Sequence, residues 1–126
     1  ELVNQDWKVY LSREMIGDFQ VSRAGWIGDY EDPNTFLDTM RPNRGNNKTR
    51  WDNYEFDGLL AKANATLDQE ERYKILMEAE RLLIDEMPIA PIYTYVRVYQ
   101  LHEDVKGWYP NILSHHHPKY IRIERD

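Results

Sequence analysis

Asp29, Glu31 and Asp32 crowd together just after the stretch Gly25-Trp-Ile-Gly28. Paired carboxylates can act as general acid and base, or as the two acids of a glycosidase. The same residues also have a plain structural reading: Asp32 stands before Pro33 as a helix N-cap, Glu31 is solvated, and Asp29 turns the loop. Closeness along the chain does not aim two acids at one substrate, so a carboxylate-dependent hydrolase is kept only as a last alternative. His115-His116-His117, with His102 further off, invites a metal ion. Consecutive residues of an extended segment point to alternate sides, and three adjacent imidazoles do not readily share one ion. The expectation is a surface loop, with no metal site and no cofactor.

Other chemistries are missing their residues. There is no Ser/His/Asp arrangement and no phosphate-cradling loop, and Gly25 to Gly28 lacks the strand–turn–helix spacing of a dinucleotide fingerprint. With no cysteine in the chain, disulfides, thiol catalysis and thiolate metal sites are excluded. Sixteen basic side chains against 22 acidic ones give a net charge of −6. A nucleic-acid surface needs a concentrated basic patch, and none is present. An enzyme is not expected.

The aromatic load does stand out, with four tryptophans and nine tyrosines among 126 residues. A core takes several of these rings, Tyr73 among them. Trp26 differs, because it lies between two glycines at the C-terminal end of an expected strand and close to Asp29. Ligands of open α/β sheets gather at such strand ends, and an aromatic wall with a few placed charges describes a binding cleft.

These residues must be held by elements that the spacing predicts. Trp7, Tyr10, Leu11 and Met15 recur at three and four, which predicts a short helix over 6–15 closed by Gly17. Residues 19–24 alternate as a half-buried strand. Asp32-Pro33 opens a helix carrying Phe36, Leu37 and Met40 inward and stopping before Pro42. Residues 41–52 read as an exposed, mobile polar loop. A helix over 53–64 shows Phe56, Leu59, Leu60 and Ala63 on one face. A longer one over 68–86 has Asp68 and Glu71 as a capping-box pair, with Tyr73, Leu76, Ala79, Leu83 and Met87 as its stripe. Residues 92–99 are rich in aromatic and β-branched types and predict a strand, and 120–124 predicts a last short one. The order of elements implies an α/β fold with a mixed sheet and flanking helices.

The length would suit one domain with a small core. The chain nevertheless starts at Glu1 in what reads like the middle of a domain, and this is expected of a fragment or a processed product. The run Arg23-Ala-Gly-Trp-Ile-Gly-Asp-Tyr-Glu-Asp-Pro-Asn-Thr-Phe-Leu37 resembles the signature of bacterial periplasmic oligopeptide-binding proteins, the peptide-class solute receptors of ABC importers. Leu2-Val-Asn-Gln-Asp-Trp-Lys8, Phe56-Asp-Gly-Leu-Leu60, Ala79-Glu-Arg-Leu-Leu83, Pro88-Ile-Ala-Pro-Ile-Tyr-Thr-Tyr95 and Val105-Lys-Gly-Trp-Tyr-Pro-Asn111 resemble that family too, in the same order.

The resemblance implies a C-terminal fragment of a two-lobed, type II periplasmic-binding-protein fold that closes over an extended peptide. Residues 1–96 would be part of the C-terminal peptide-binding lobe, and 97–126 the segment returning toward the first lobe. It implies a buried Asp29 that pairs with the peptide's α-ammonium group, with Trp26 and Ile27 forming a wall and backbone beside the peptide. Trp7 would line side-chain pockets, Arg23 would meet the C-terminal carboxylate of short peptides, and Tyr93 or Tyr95 would line the cleft. Where some members carry a further basic residue, this chain has Glu14 or its neighbour Arg13. Implied partners are a peptide and, through the full-length protein, the importer's permease subunits. Membrane association would come only from an N-terminal anchor outside this chain. The location would be the periplasm or the outer face of the cell membrane. The alternative within the family is another ligand: a dipeptide, a nickel chelate, haem, a sugar or a signalling peptide.

Overall fold

A computed structural model describes residues 2–42 and 45–125. Its centre is a pair of helices, α3 (Tyr54–Ala65) and α4 (Gln69–Glu86), joined by the short link 66–68. Each begins on a capping side chain. Asn53 accepts from the N–H groups of Glu55 and Phe56 at 2.9 and 3.0 Å, and Asp68 accepts from that of Glu71 at 2.8 Å. These bonds satisfy donors that the first helical turn leaves without partners. Phe56, Leu60 and Ala63 of α3 pack against Ile75, Leu76, Ala79 and Leu83 of α4, and Leu37 and Met40 complete the core. Phe56 and Leu60 are fully buried. Each such side chain stabilises the fold by about 1.5–3 kcal/mol.

The buried face of α3 is the one its spacing predicts. The face of α4 is rotated from expectation. Ile75 is buried, whereas Tyr73 stays at the rim with its hydroxyl on Gln69 Nε2, 2.9 Å away. Met87 lies beyond the helix, in the left-handed conformation that ends it, so its side chain leaves the stripe and is exposed.

The segment after Asp32 folds as α2 (Asn34–Leu37) and continues as a tighter 3-10 turn over Asp38–Met40, ending before Pro42. The change of winding alters which residues face inward. Leu37 and Met40 are buried as expected, but Phe36 points outward and is 52% exposed. The following loop is fastened more firmly than its polarity suggests. Asn47 Nδ2 donates to the carbonyls of Met40 and Trp51 at 2.9 Å each, and Arg41 pairs with Asp57 of α3. Residues 43 and 44 of that loop lie outside the described residues.

Helix α1 (Trp7–Ile16) is capped by Asp6, whose side chain accepts from the Lys8 N–H at 3.0 Å. Gly17 ends it at φ +74°, a conformation that glycine adopts without strain. None of its residues is buried, so its apolar stripe faces no core among the described residues.

The expected mixed sheet does not form among the described residues. Strand β1 (Val105–Lys106) pairs antiparallel with β2 (Arg122–Ile123), Val105 opposite Ile123 and Lys106 opposite Arg122. Residues 19–24 and 92–99 carry no ladder, and Ile92, Val96 and Val98 are open to solvent. Strand propensity is realised only when another backbone lies alongside, and within the described residues none does. No helix among them is long and apolar enough to cross a membrane.

Candidate functional site

The loop 25–32 is pinned at both ends. At its start, the Tyr95 ring packs close to Gly25, where a Cβ would lie 3.4 Å from the ring. Further along, Gly28 lies so near α2 that a Cβ would meet Thr35 Cγ2 at 3.1 Å and the Phe36 ring at 3.3 Å. The Asp29 N–H donates to Thr35 Oγ1 at 3.0 Å. The stretch between these anchors is open, with Trp26 40% exposed and Ile27 exposed beside it. No backbone hydrogen bond among the described residues uses the N–H or C=O of Trp26 or Ile27. An extended ligand can therefore pair with this backbone in the manner of an added strand.

Asp29 is exposed, not buried as the family resemblance implied, and its carboxylate has no hydrogen-bond partner among the described residues. Asp32 is fully engaged. Its two carboxylate oxygens accept a two-pronged bond from Arg72, and Oδ1 also accepts from the Asn34 N–H at 2.9 Å. The hydrogen bonds from Arg72 hold its carboxyl below the usual carboxylate range, against the opposing effect of burial. A carboxylate so held is a poor general acid. The helix opens one residue later than expected: Pro33 takes the N-cap position of α2 without a side-chain cap, and Asp32 stands just before it, bonded to the Asn34 N–H.

Arg23 is linked to the tyrosine segment. Its Nη2 donates to the hydroxyls of Tyr93, at 3.2 Å, and of Tyr95, and its guanidinium also lies 6.0 Å from the Tyr95 ring centre. Hydrogen bonding to Tyr93, with the partial negative charge of both phenols, raises the guanidinium pKa above its ordinary value. The two rings meet edge to face at 4.9 Å. Sequence reasoning left the choice between these tyrosines open, and the structure brings both to Arg23. Behind them, the Tyr10 hydroxyl lies 2.7 Å from Glu14 Oε1 and 2.9 Å from the Arg23 carbonyl, its single proton shared between these two acceptors. Of the two residues considered at the further basic position, Glu14 is thus on the Arg23 side. Arg13 faces Asp18, with Nε 2.7 Å from its Oδ2.

Trp7 joins this cluster only through Tyr10, on which it stacks with ring centres 5.1 Å apart, and is otherwise exposed. The histidines of the run have separate neighbours. His116 stacks on Trp108 at 4.5 Å, Tyr99 lies edge-on to both, and no metal-binding group occurs among the described residues. A shallow groove of about 380 Å³ lies between α2 and α4, lined by Phe36, Tyr73 and Met77 among others. None of Arg23, Asp29, Tyr93 and Tyr95 lines it, so it is not the candidate site.

A helical hairpin thus lies behind a surface that gathers an open-backbone loop, an unpartnered carboxylate and a tyrosine-bound guanidinium. Comparison with known proteins gives that surface its relatives: the chain is homologous to bacterial peptide-binding proteins over most of its length. It is 44% identical over 85% of its length to the oligopeptide-binding protein OppA of Bacillus subtilis (strain 168), and spans 20% of that protein. A solved structure of OppA from Burkholderia pseudomallei superposes at a TM-score of 0.88, with 28% identity, covering 99% of this chain and 25% of that one. The Escherichia coli murein tripeptide binding protein MppA gives 0.85 at 31% identity, over 100% of this chain and 25% of that one. The chain thus spans about a fifth of the length of the curated relatives it matches. No protein-family model matches it.

Proposed function

We propose that this chain is the C-terminal part of an extracytoplasmic receptor that binds oligopeptides between two lobes and delivers them to an ABC importer. Residues 1–96 contribute the ligand-facing part of the second lobe, and 97–126 lead back toward the first. The receptor works in the periplasm or at the outer face of the cell membrane, with the importer's permease subunits as partners. It is a binding protein and carries out no turnover.

The observation that carries this reading is the free backbone of Trp26 and Ile27 beside the unpartnered Asp29 carboxylate. Main-chain pairing holds a peptide without reading its sequence, and exposed aromatic walls tolerate many side chains. Asp29 takes the α-ammonium group, with charge-assisted hydrogen bonds that fix the ligand's direction. Arg23, presented by Tyr93 and Tyr95, takes a carboxylate, and Trp7 lines a more distant pocket. The exposure of Asp29 in this chain fits a site with one wall present, since the other lobe and the ligand would cover it.

Isothermal titration of the intact receptor with a free tripeptide and its N-acetylated twin tests the reading. The free peptide is expected to bind more tightly, with an advantage of about 1.5–3 kcal/mol, as for a hydrogen bond to a charged group. Asp29→Asn should remove that advantage. Equal affinities in the wild type would take Asp29 out of its role.

A further inference from the structure

Arg72, in the first turn of α4, reaches the acid at the start of the α2 turn. Its Nη1 lies 2.6 Å from Asp32 Oδ2 and its Nη2 2.8 Å from Oδ1, across 40 positions of sequence. The two side chains are only 20% and 21% exposed. Two parallel bonds fix both the distance and the plane of the carboxylate, which a single ammonium could not do.

From Asp32 the connection runs on. Its Oδ1 accepts from the Asn34 N–H at 2.9 Å, and its carbonyl accepts from the Thr35 N–H at 3.1 Å. Thr35 is 4% exposed, and its Oγ1 accepts from the Asp29 N–H at 3.0 Å. An unbroken series of hydrogen bonds therefore joins the rigid α3–α4 pair to the backbone of Asp29. Leu37 and Met40 attach the far end of the α2 turn to the core, while Asn34 and Thr35 at its start are buried beside the Arg72–Asp32 pair.

We propose that Arg72 is a positioning residue for ligand recognition: through Asp32 and Thr35 it fixes the direction in which Asp29 meets an ammonium group. The inference rests on the reading of Asp29 given above. Without Arg72, Asp32 keeps only its local backbone bonds. Beyond the Gly28–Thr35 anchor, residues 30–32 are then tied to α2 by the 3.3 Å bond from Asn34 Nδ2 to the Tyr30 hydroxyl and by Asp32's own bonds, a looser hold on the direction of Asp29. A charged contact loses strength quickly when its geometry is not held in advance.

The test uses the intact receptor and its Arg72→Ala and Arg72→Lys variants, titrated with the free tripeptide and the N-acetylated twin. The measured quantity is the ratio of the two dissociation constants. Arg72→Ala is expected to cut the wild-type ratio by about tenfold, by weakening the free peptide alone, on the scale of one charged hydrogen bond. Arg72→Lys should fall between, since it keeps the charge but loses the fork; this variant decides the matter if the alanine form does not fold. A merely structural role would lower the melting temperature and weaken both peptides equally, which would overturn the proposal. So would an unchanged ratio in a wild type that does discriminate. No discrimination in the wild type would sink the Asp29 reading itself, and this inference with it.

Discussion

The hydroxyl of Tyr93 lies 3.2 Å from Nη2 of Arg23, although 70 positions separate the two residues. This bond and its companion to Tyr95 fasten the unpaired tyrosine segment to the loop that carries Trp26 and Asp29. Tyr93 ionises below its ordinary value, first through its hydrogen bond with Tyr95 and then through Arg23.

An ultraviolet difference titration should therefore show one tyrosine deprotonating early. Tyr95→Phe and Arg23→Gln are each expected to move that step back toward the ordinary phenol range. An unchanged titration curve in both variants would mean that the cluster does not persist in solution.

A second prediction concerns acid. The Asp32 carboxyl is held down in the folded chain by Arg72, so its contribution to stability is complete above the unfolded value of about 3.9. It is lost as pH falls through the lower folded value. Melting temperatures of the wild type and Asp32→Asn should thus differ at neutral pH and converge on acidification below about 4. A gap that stays constant with pH would show that the Arg72 bond is not formed.

A third prediction separates two phenylalanines that look alike in sequence. Phe56→Ala removes a fully buried ring and should cost about 3–5 kcal/mol in chemical denaturation. Phe36→Ala removes a ring that is half exposed and should cost far less. Similar losses at both positions would contradict the outward turn of Phe36.

The contrast also marks how far the sequence could be read. The face of α3 and the caps at Asp68 and Gly17 depend on neighbours within a few positions, so local spacing reveals them, whereas Asn53, expected inside α3, is its N-cap. Phe36 was misplaced because a helix of one turn passes into a 3-10 turn, and no single period describes both. Residues 19–24 and 92–99 have strand composition, but pairing depends on a second backbone that these segments do not meet among the described residues. At the site, Trp26 and Asp29 stand out by their place after an expected strand, whereas their roles, and Arg23 itself, come from the family resemblance, which leaves Tyr93 and Tyr95 as alternatives. The Arg72–Asp32 pair went unnoticed, because nothing in a sequence signals that an arginine will meet an acid 40 positions away. The one available hint was an acid already committed to a cap, whose remaining lone pairs still needed a donor.

The α3–α4 hairpin also sets an order in time. Its contacts join residues close in sequence across the brief link 66–68, so little loop entropy opposes their meeting and the pair can form early. The bonds from Arg23 to Tyr93 and Tyr95 span 70 and 72 positions, so closing them costs more loop entropy and is expected to follow the hairpin. During synthesis the hairpin leaves the ribosome before the tyrosines do. A fault in the hairpin therefore delays the whole unit, whereas a fault in the tyrosine cluster shows only in its last step.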